Sequence, residues 1–250
     1  MQNRIVLGAR DLSFGYGRRH VFERITLNVQ AGEILGILGP NGAGKTTLIK
    51  CLVGVLGPQI GEIFLHETRV TDLPLWRRAR KGMAYLSQQA SLLPDLTVLE
   101  NVEIGCRSSD ARQLAEAALT QIGLSSRKDD FPTALSGGQC RLVELARLFV
   151  SEAELLILDE PFAMLDPKNR QDVARYIKYF QEQGRTVIIT DHDVLSTLKL
   201  ADRSIVIVNG TICCEGNAAK ILQDSFVRAH YLGKEDDDES LKSDRGLNGV

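Results

Sequence analysis

Short apolar runs alternate along this chain with longer stretches of helical periodicity. Residues 25–29 and 33–38 read as strands around an Ala31-Gly32 turn, and residues 44–53 read as a helix. Strand-like runs recur at 63–65, 83–87, 155–159, 186–190 and 204–208, with helical patterns at 110–122, 168–183 and 194–200. Strands interleaved with helices in this way predict an α/β domain with a largely parallel central sheet. From about residue 89 to 150 there is no convincing strand, so this stretch reads as a helical insertion. No internal repeat or low-complexity linker interrupts the pattern.

The longest clean apolar runs, 155–158 and 205–208, are four residues each, far short of the roughly 18 a membrane-spanning helix needs. Met1-Gln2-Asn3-Arg4-Ile5 lacks a long apolar region and a small-residue cleavage site, which argues against secretion. The 250 residues carry 30 basic and 32 acidic side chains, a net charge of −2 that argues against a large nucleic-acid surface. The charge is uneven: residues 234–250 hold six acids against three bases, which predicts a solvated, disordered acidic tail behind a nearly neutral body. The five cysteines, an odd number without a C-x-x-C pair, fit a reducing compartment rather than a disulfide frame or zinc site. Adjacent Cys213 and Cys214 fall in a strand pattern and should point to opposite faces.

Candidate chemistry begins after the strand pattern at 33–38. Gly39-Pro40-Asn41-Gly42-Ala43-Gly44-Lys45-Thr46-Thr47 matches the phosphate-loop spacing G-x-x-x-x-G-K-[ST] and opens a helix, as such a loop must. Gly42 and Gly44 let successive backbone N–H groups turn inward around phosphate oxygens, and the helix N-terminus adds its partial positive charge. Lys45 is placed to bridge the β and γ phosphates, and the Thr46 hydroxyl to ligate Mg²⁺. Leu155-Leu156-Ile157-Leu158 then delivers Asp159 and Glu160 to the C-terminal end of a strand, the edge where open α/β sheets bind ligands. Asp159 there suits Mg²⁺, held through water, and Glu160 suits a base for an attacking water. His192, in Thr190-Asp191-His192-Asp193, ends another strand on the same edge and is a candidate to contact the γ-phosphate. His20, His66 and His230 read as structural.

Leu135-Ser136-Gly137-Gly138-Gln139, taken in order with the phosphate loop, Gln88, Asp159-Glu160-Pro161, Leu165-Asp166 and His192, resembles the ABC-type ATPases over about residues 4–232. The resemblance implies a P-loop NTPase (RecA-like) core with an antiparallel β subdomain and a helical subdomain, about residues 89–150, carrying the signature. It implies an ABC nucleotide-binding domain over residues 1–233, followed by the acidic tail. Ser136, Gly137 and Gly138 precede a helix expected at 139–150 and form a second anion site of hydroxyl, amides and dipole. In the family this site faces the γ-phosphate on another protomer's P-loop, so two chains sandwich two ATP molecules in a homodimer.

By motif position, Asn41 to Thr47 and Ser136 to Gln139 would bind ATP. Tyr16 would stack on adenine, and Asp166 would cross the dimer interface. Gln88 would contact Mg²⁺ and water while sensing integral membrane transporter subunits, placing the chain at the cytoplasmic face of the inner membrane. The stretches 73–80, 89–91, 161–163, 221–224 and 227–233 are similar to the lipopolysaccharide-export subfamily, and importer ATPases for branched-chain amino acids and urea share part of that pattern. Leu93-Pro94-Asp95 departs from the aromatic and basic pair usual in the export subfamily. A soluble ABC ATPase of iron–sulfur assembly is the alternative of another class.

Overall fold

Five consecutive buried residues in each of β3 (Ile34–Leu38), β7 (Leu155–Asp159) and β8 (Thr186–Thr190) explain why a parallel sheet forms the centre of the protein. Strands buried on both faces have no polar alternation to show, and they need helices on either side. The computed structural model describes residues 4–231 except Met164. In it these strands belong to a six-stranded sheet of order β10-β9-β3-β8-β7-β6, completed by β6 (Met83–Leu86), β9 (Arg203–Val208) and β10 (Thr211–Gly216). Every pair from β9 to β6 is parallel, and β10 joins the edge antiparallel. A second sheet, wholly antiparallel, has the order β2-β1-β4-β5, from β1 (Ile5–Tyr16), β2 (Arg19–Gln30), β4 (Ile60–Leu65) and β5 (Thr68–Arg69).

Side chains of β7 sort the molecule into layers. Leu155 and Ile157 join a core with Leu12, Phe22 and Ile63 of the antiparallel sheet and with Leu48 of α1 (Lys45–Val53). Leu156 and Leu158 point the other way, into a core filled by α3 (Val98–Glu103), α4 (Ala111–Gln121), α5 (Gly137–Val150) and α6 (Pro167–Glu182). A third, smaller cluster seats α7 (Val194–Leu200), α8 (Ala218–Gln223) and α9 (Ser225–Tyr231) through Leu198, Ile221 and Val227. The remaining helix, α2 (Leu75–Arg80), lies between the two sheets in chain order. Residues 89–150 hold α3, α4 and α5 and no strand, while the acidic stretch 234–250 lies outside the described residues.

The longest discrepancy is the N-terminal hairpin. The sequence pattern missed β1 altogether and began β2 six residues late. Asp11 and Arg24 adopt positive φ (49° and 50°), and the β1–β2 register shifts repeatedly between Ile5 and Gly15. Each bulge breaks the two-residue alternation by which a strand is recognised. A smaller correction concerns the signature helix, which starts at Gly137 rather than 139, so both signature glycines lie in its first turn. Cys213 is exposed and Cys214 packs on the third cluster, the opposite orientation expected of strand neighbours.

Helix α2 is pinned from inside. Arg78 is fully buried, and its guanidinium donates to the carbonyls of Cys51 (2.8 Å) and Leu52 (2.6 Å), and of Thr71 (2.9 Å) and Leu73 (2.8 Å). Burial pulls its pKa down to about 10, with the charge retained at neutral pH. Two of those acceptors close the last turn of α1, whose partial negative charge the cation offsets. Arg78→Ala would strand several buried carbonyls, each costing about 1–3 kcal/mol. We expect a loss of at least ~3 kcal/mol, measured as a lower urea midpoint with an unchanged slope.

Candidate nucleotide site

The phosphate loop joins β3 to α1 and owes its shape to glycine. Gly42 (φ 79°) and Gly44 (φ 101°) occupy left-handed backbone that other residues adopt only at a cost. Gly44 is the N-cap of α1, and no side chain caps the helix there. Its first amides, at the positive end of the dipole, are thus left for an anion. The loop borders a cavity of about 650 Å³ lined by Asn41, Gly42, Ala43, Gly44, Lys45, Thr46 and Thr47. Tyr16 forms part of the wall; it is exposed and meets Phe14 edge-on at 5.0 Å. Gln88 and Glu160 close the floor from the ends of β6 and β7.

Lys45 is buried and folds over its own loop, donating to the carbonyls of Gly39 (2.6 Å) and Pro40 (3.1 Å). Desolvation pulls its pKa down, while Glu160, Asp159 and Asp191 pull the other way. Asp159 is fully buried. Its Oδ1 accepts from the hydroxyls of Thr190 (2.6 Å) and Thr46 (3.4 Å), whereas its Oδ2 has no hydrogen-bond partner. A buried carboxylate oxygen left so, beside a threonine hydroxyl, fits a divalent cation or its bound water. Among the described residues no cluster of three or more His, Cys, Asp or Glu could hold a metal, so such an ion would need phosphate oxygens as well.

Glu160 takes positive φ (52°) at the end of β7, and its amide donates to the Thr190 carbonyl at 2.9 Å. Gln88 Nε2 donates to its carboxylate at 2.9 Å. The backbone carbonyl of the neighbouring Gln89 accepts from the Ser87 hydroxyl (2.6 Å), and Gln88, not Gln89, lines the cavity.

Other expected residues lie apart from this cavity. His192 sits on the same sheet edge as Glu160, but its half-exposed ring faces Asp191 (3.3 Å) and does not line the cavity. Asp166 is the N-cap of α6, accepting from the Asn169 amide at 2.9 Å. Ser136 caps α5 by accepting from the Gln139 amide (3.2 Å), and Gln139 accepts in turn from the Ser136 amide (2.9 Å). This capping box engages the hydroxyl that sequence reasoning had left free, and leaves the amides of Gly137 and Gly138 at the head of the helix.

Sequence reasoning also missed wall and support residues. His20, read as structural, lines the cavity with Arg19, Val21, Asn209 and Gly210. These flank hairpin turns whose strands had not been recognised in full. Asp191 is buried with an unpartnered Oδ2 near Lys45, and an acid closing an apolar strand was its only signal. The support with the largest reach is Arg141 of α5. Its guanidinium donates to the carbonyls of Ser87 (2.6 Å), Asp159 (3.0 Å) and Glu160 (2.8 Å), and pairs with Glu144 (3.1 Å). Glu144 in turn accepts from the hydroxyl of Ser91 (2.9 Å), whose carbonyl accepts from Arg147 (2.9 Å).

A family model described as ABC transporter matches residues 22–163. The lipopolysaccharide export system ATP-binding protein LptB of Escherichia coli is 37% identical over 235 residues, 92% of this chain and 98% of its own. LptB of Acidithiobacillus ferridurans is 36% identical over 91% and 97% of the two chains. Among solved structures, a nucleotide-free ATP-binding cassette from an ABC transporter superposes with a TM-score of 0.82 at 26% identity, covering 92% of this chain and all of that one. A cassette whose dimeric post-hydrolysis state holds ADP and Pi gives 0.77 at 27% identity, over 85% and 98% of the two chains.

The geometry separates two kinds of defect. Lys45→Ala should weaken nucleotide binding by about ten- to a hundredfold, the worth of one or two charged hydrogen bonds. Arg141→Met should leave binding nearly intact and lower the turnover rate about tenfold or more, because it frees the Gln88 loop and the Glu160 backbone without touching the phosphate loop. Titration calorimetry and steady-state ATPase assays on the two variants measure the split.

Proposed function

The chain belongs to the ABC transporter family of ATP-binding proteins, and from that premise we propose that it is the ATP-hydrolysing subunit of a lipopolysaccharide exporter. In this reading two copies dimerise around two ATP molecules. The dimer works at the cytoplasmic face of the inner membrane beneath integral membrane subunits. The observation that carries the cargo is the likeness to the two LptB proteins over more than nine-tenths of each chain. The sandwich is supported by the make-up of the cavity, whose lining includes the phosphate loop, Gln88 and Glu160 but none of Ser136, Gly137, Gly138 or Gln139. A second copy would supply those residues to the exposed side of the nucleotide, with Asp166 beside them. The importer and iron–sulfur alternatives have no counterpart among the relatives described above.

The residues divide the work as follows. Tyr16 stacks on adenine, while the loop amides from Asn41 to Thr47 and the α1 dipole hold the phosphates. Lys45 exchanges the carbonyls of Gly39 and Pro40 for β- and γ-phosphate oxygens. Thr46 and Asp159, with Gln88, would hold Mg²⁺, which when bound offsets the charge developing on the phosphate oxygens. Glu160 accepts a proton from the attacking water as the bond from γ-phosphorus to the ADP oxygen breaks. Gln88 holds the Glu160 carboxylate through the 2.9 Å hydrogen bond seen here. His192, half-exposed at the same edge, reaches the γ-phosphate after the dimer closes.

Membrane subunits would enter a groove of about 500 Å³ between α2, β6, the end of α3 and α5, lined by Leu75, Tyr85, Ile104 and Arg147 among others. Pressure there is transmitted to Glu160 through Arg147, Ser91, Glu144 and Arg141, all linked by hydrogen bonds.

Glu160→Gln tests the reading. Turnover should fall about 10²- to 10⁴-fold, while ATP-bound dimer accumulates in size-exclusion chromatography; a protein that stays monomeric with ATP would sink the sandwich. Detergent extraction and purification through this chain should bring down integral membrane chains. Recovery of soluble partners alone would exclude the exporter.

A further inference from the structure

Helix α2 presents an exposed surface that the nucleotide chemistry leaves unused. Arg78 is turned inward, but Trp76, Arg77, Arg80 and Lys81 are exposed, the indole at 53%. The guanidinium carbons of Arg77 and Arg80 lie 5.0 Å and 5.1 Å from the indole centroid, so one ring is flanked by two cations. Arg107, also exposed, reaches the same helix and donates to the Ala79 carbonyl at 3.4 Å.

None of Arg77, Arg80, Lys81 and Arg107 takes part in an ion pair among the described residues. Elsewhere on the surface Arg69, Arg127 and Arg175 each pair with an aspartate three positions away. Other exposed cations, among them Arg18, Arg24 and Lys168, are also without an ion pair among the described residues, but only on α2 do two such cations flank an indole. Arg80 and Arg107 also border the groove beside Leu75 and Ile104, the latter 54% exposed, so the basic patch is continuous with it.

We propose that this patch docks on an anionic bilayer surface, with Arg77, Arg80, Lys81 and Arg107 on lipid phosphates and the Trp76 ring at headgroup level. The inference rests on the reading that the groove receives a membrane subunit, which turns α2 toward the bilayer. An amphipathic indole among unpaired cations has the chemistry of the membrane–water interface, where the ring takes the boundary and the cations take the phosphates. A duplex nucleic acid is the competing polyanion; the exposed indole between the cations, a side chain suited to the membrane–water boundary, favours the bilayer.

Trp76 is the only tryptophan in the chain, so selectively excited indole fluorescence reports on this surface alone. The full-length protein is titrated, without any membrane subunit, with vesicles of mixed phosphatidylglycerol and phosphatidylcholine, and with phosphatidylcholine vesicles as control. The expected result is a blue shift on the anionic vesicles only, reversed by salt. The double variant Arg77→Gln/Lys81→Gln, both outside the groove lining, should partition roughly 25-fold more weakly, about fivefold per cation, with its ATPase rate in solution unchanged. No shift with anionic vesicles, an equal shift with neutral ones, or wild-type partitioning of the variant overturns the proposal. So does tighter binding to a duplex DNA oligonucleotide, which would make the patch a nucleic-acid site. The titration and the co-purification fail separately: vesicle binding without co-purifying membrane chains removes the exporter reading and keeps the lipid surface.

Discussion

The buried guanidinium of Arg141 is the point where the helical layer, the Gln88 loop and the carboxylate-bearing strand meet, and most of the site's geometry follows from it. It stands on α5 and bonds the carbonyls of Ser87, Asp159 and Glu160. Those carbonyls lie at the ends of two parallel strands, where the ladder stops; that of Glu160 also accepts from the Ala163 amide at 3.1 Å. A planar donor with five N–H groups can serve several acceptors at once, which a lysine cannot. Its charge is balanced by Glu144 on the same helix, at 3.1 Å, so the burial of one ion is offset by the burial of its partner.

Helix α1 uses the same economy at its two ends. At the C-terminus, Arg78 supplies a full positive charge to the last-turn carbonyls of Cys51 and Leu52. The N-terminus has no side-chain cap and opens onto the phosphate cavity. One end of the macrodipole is thus satisfied internally, and the other is left for an anionic ligand. Asp159 and Asp191 complete the polarity from the sheet side. Each keeps one buried oxygen without a partner, and both act on Lys45. The site holds strong charges of both signs at short range, an arrangement suited to a polyanion that arrives with a cation.

Much of this was legible in the sequence because the relevant signals are local. Four apolar residues ending in Asp159-Glu160, or a glycine loop opening a helix, specify both an element and the chemistry at its end. The hairpin was illegible for the opposite reason. Positive φ at Asp11 and Arg24 inserts bulges, the alternation loses phase, and the cavity wall at Arg19 and His20 was lost with it. Arg141 and Arg78 were illegible for another reason. An arginine inside a helical pattern reads as solvated, and only the fold shows that carbonyls from distant segments converge on it. Asp191 carried a weak signal, an acid closing an apolar strand, which the histidine beside it obscured.

The two helix N-termini assigned to phosphate differ in a way that bears on dimerisation. That of α1 is uncapped, whereas that of α5 is closed on itself by the Ser136–Gln139 box. A nucleotide can therefore bind α1 in a single chain, but at α5 it must make do with the Gly137 and Gly138 amides or open the box. In the proposed dimer the signature would therefore offer a phosphate fewer free donors than the phosphate loop does. Arg141 and Glu144, which steady the Glu160 backbone and the Gln88 loop, are on that same helix, five and eight residues beyond Ser136. A displacement of α5 large enough to move the signature would strain the carbonyl contacts that hold the base. In the proposed dimer, closure on the partner's nucleotide and alignment of the Glu160 carboxylate would then be one motion at two ends of a 14-residue helix.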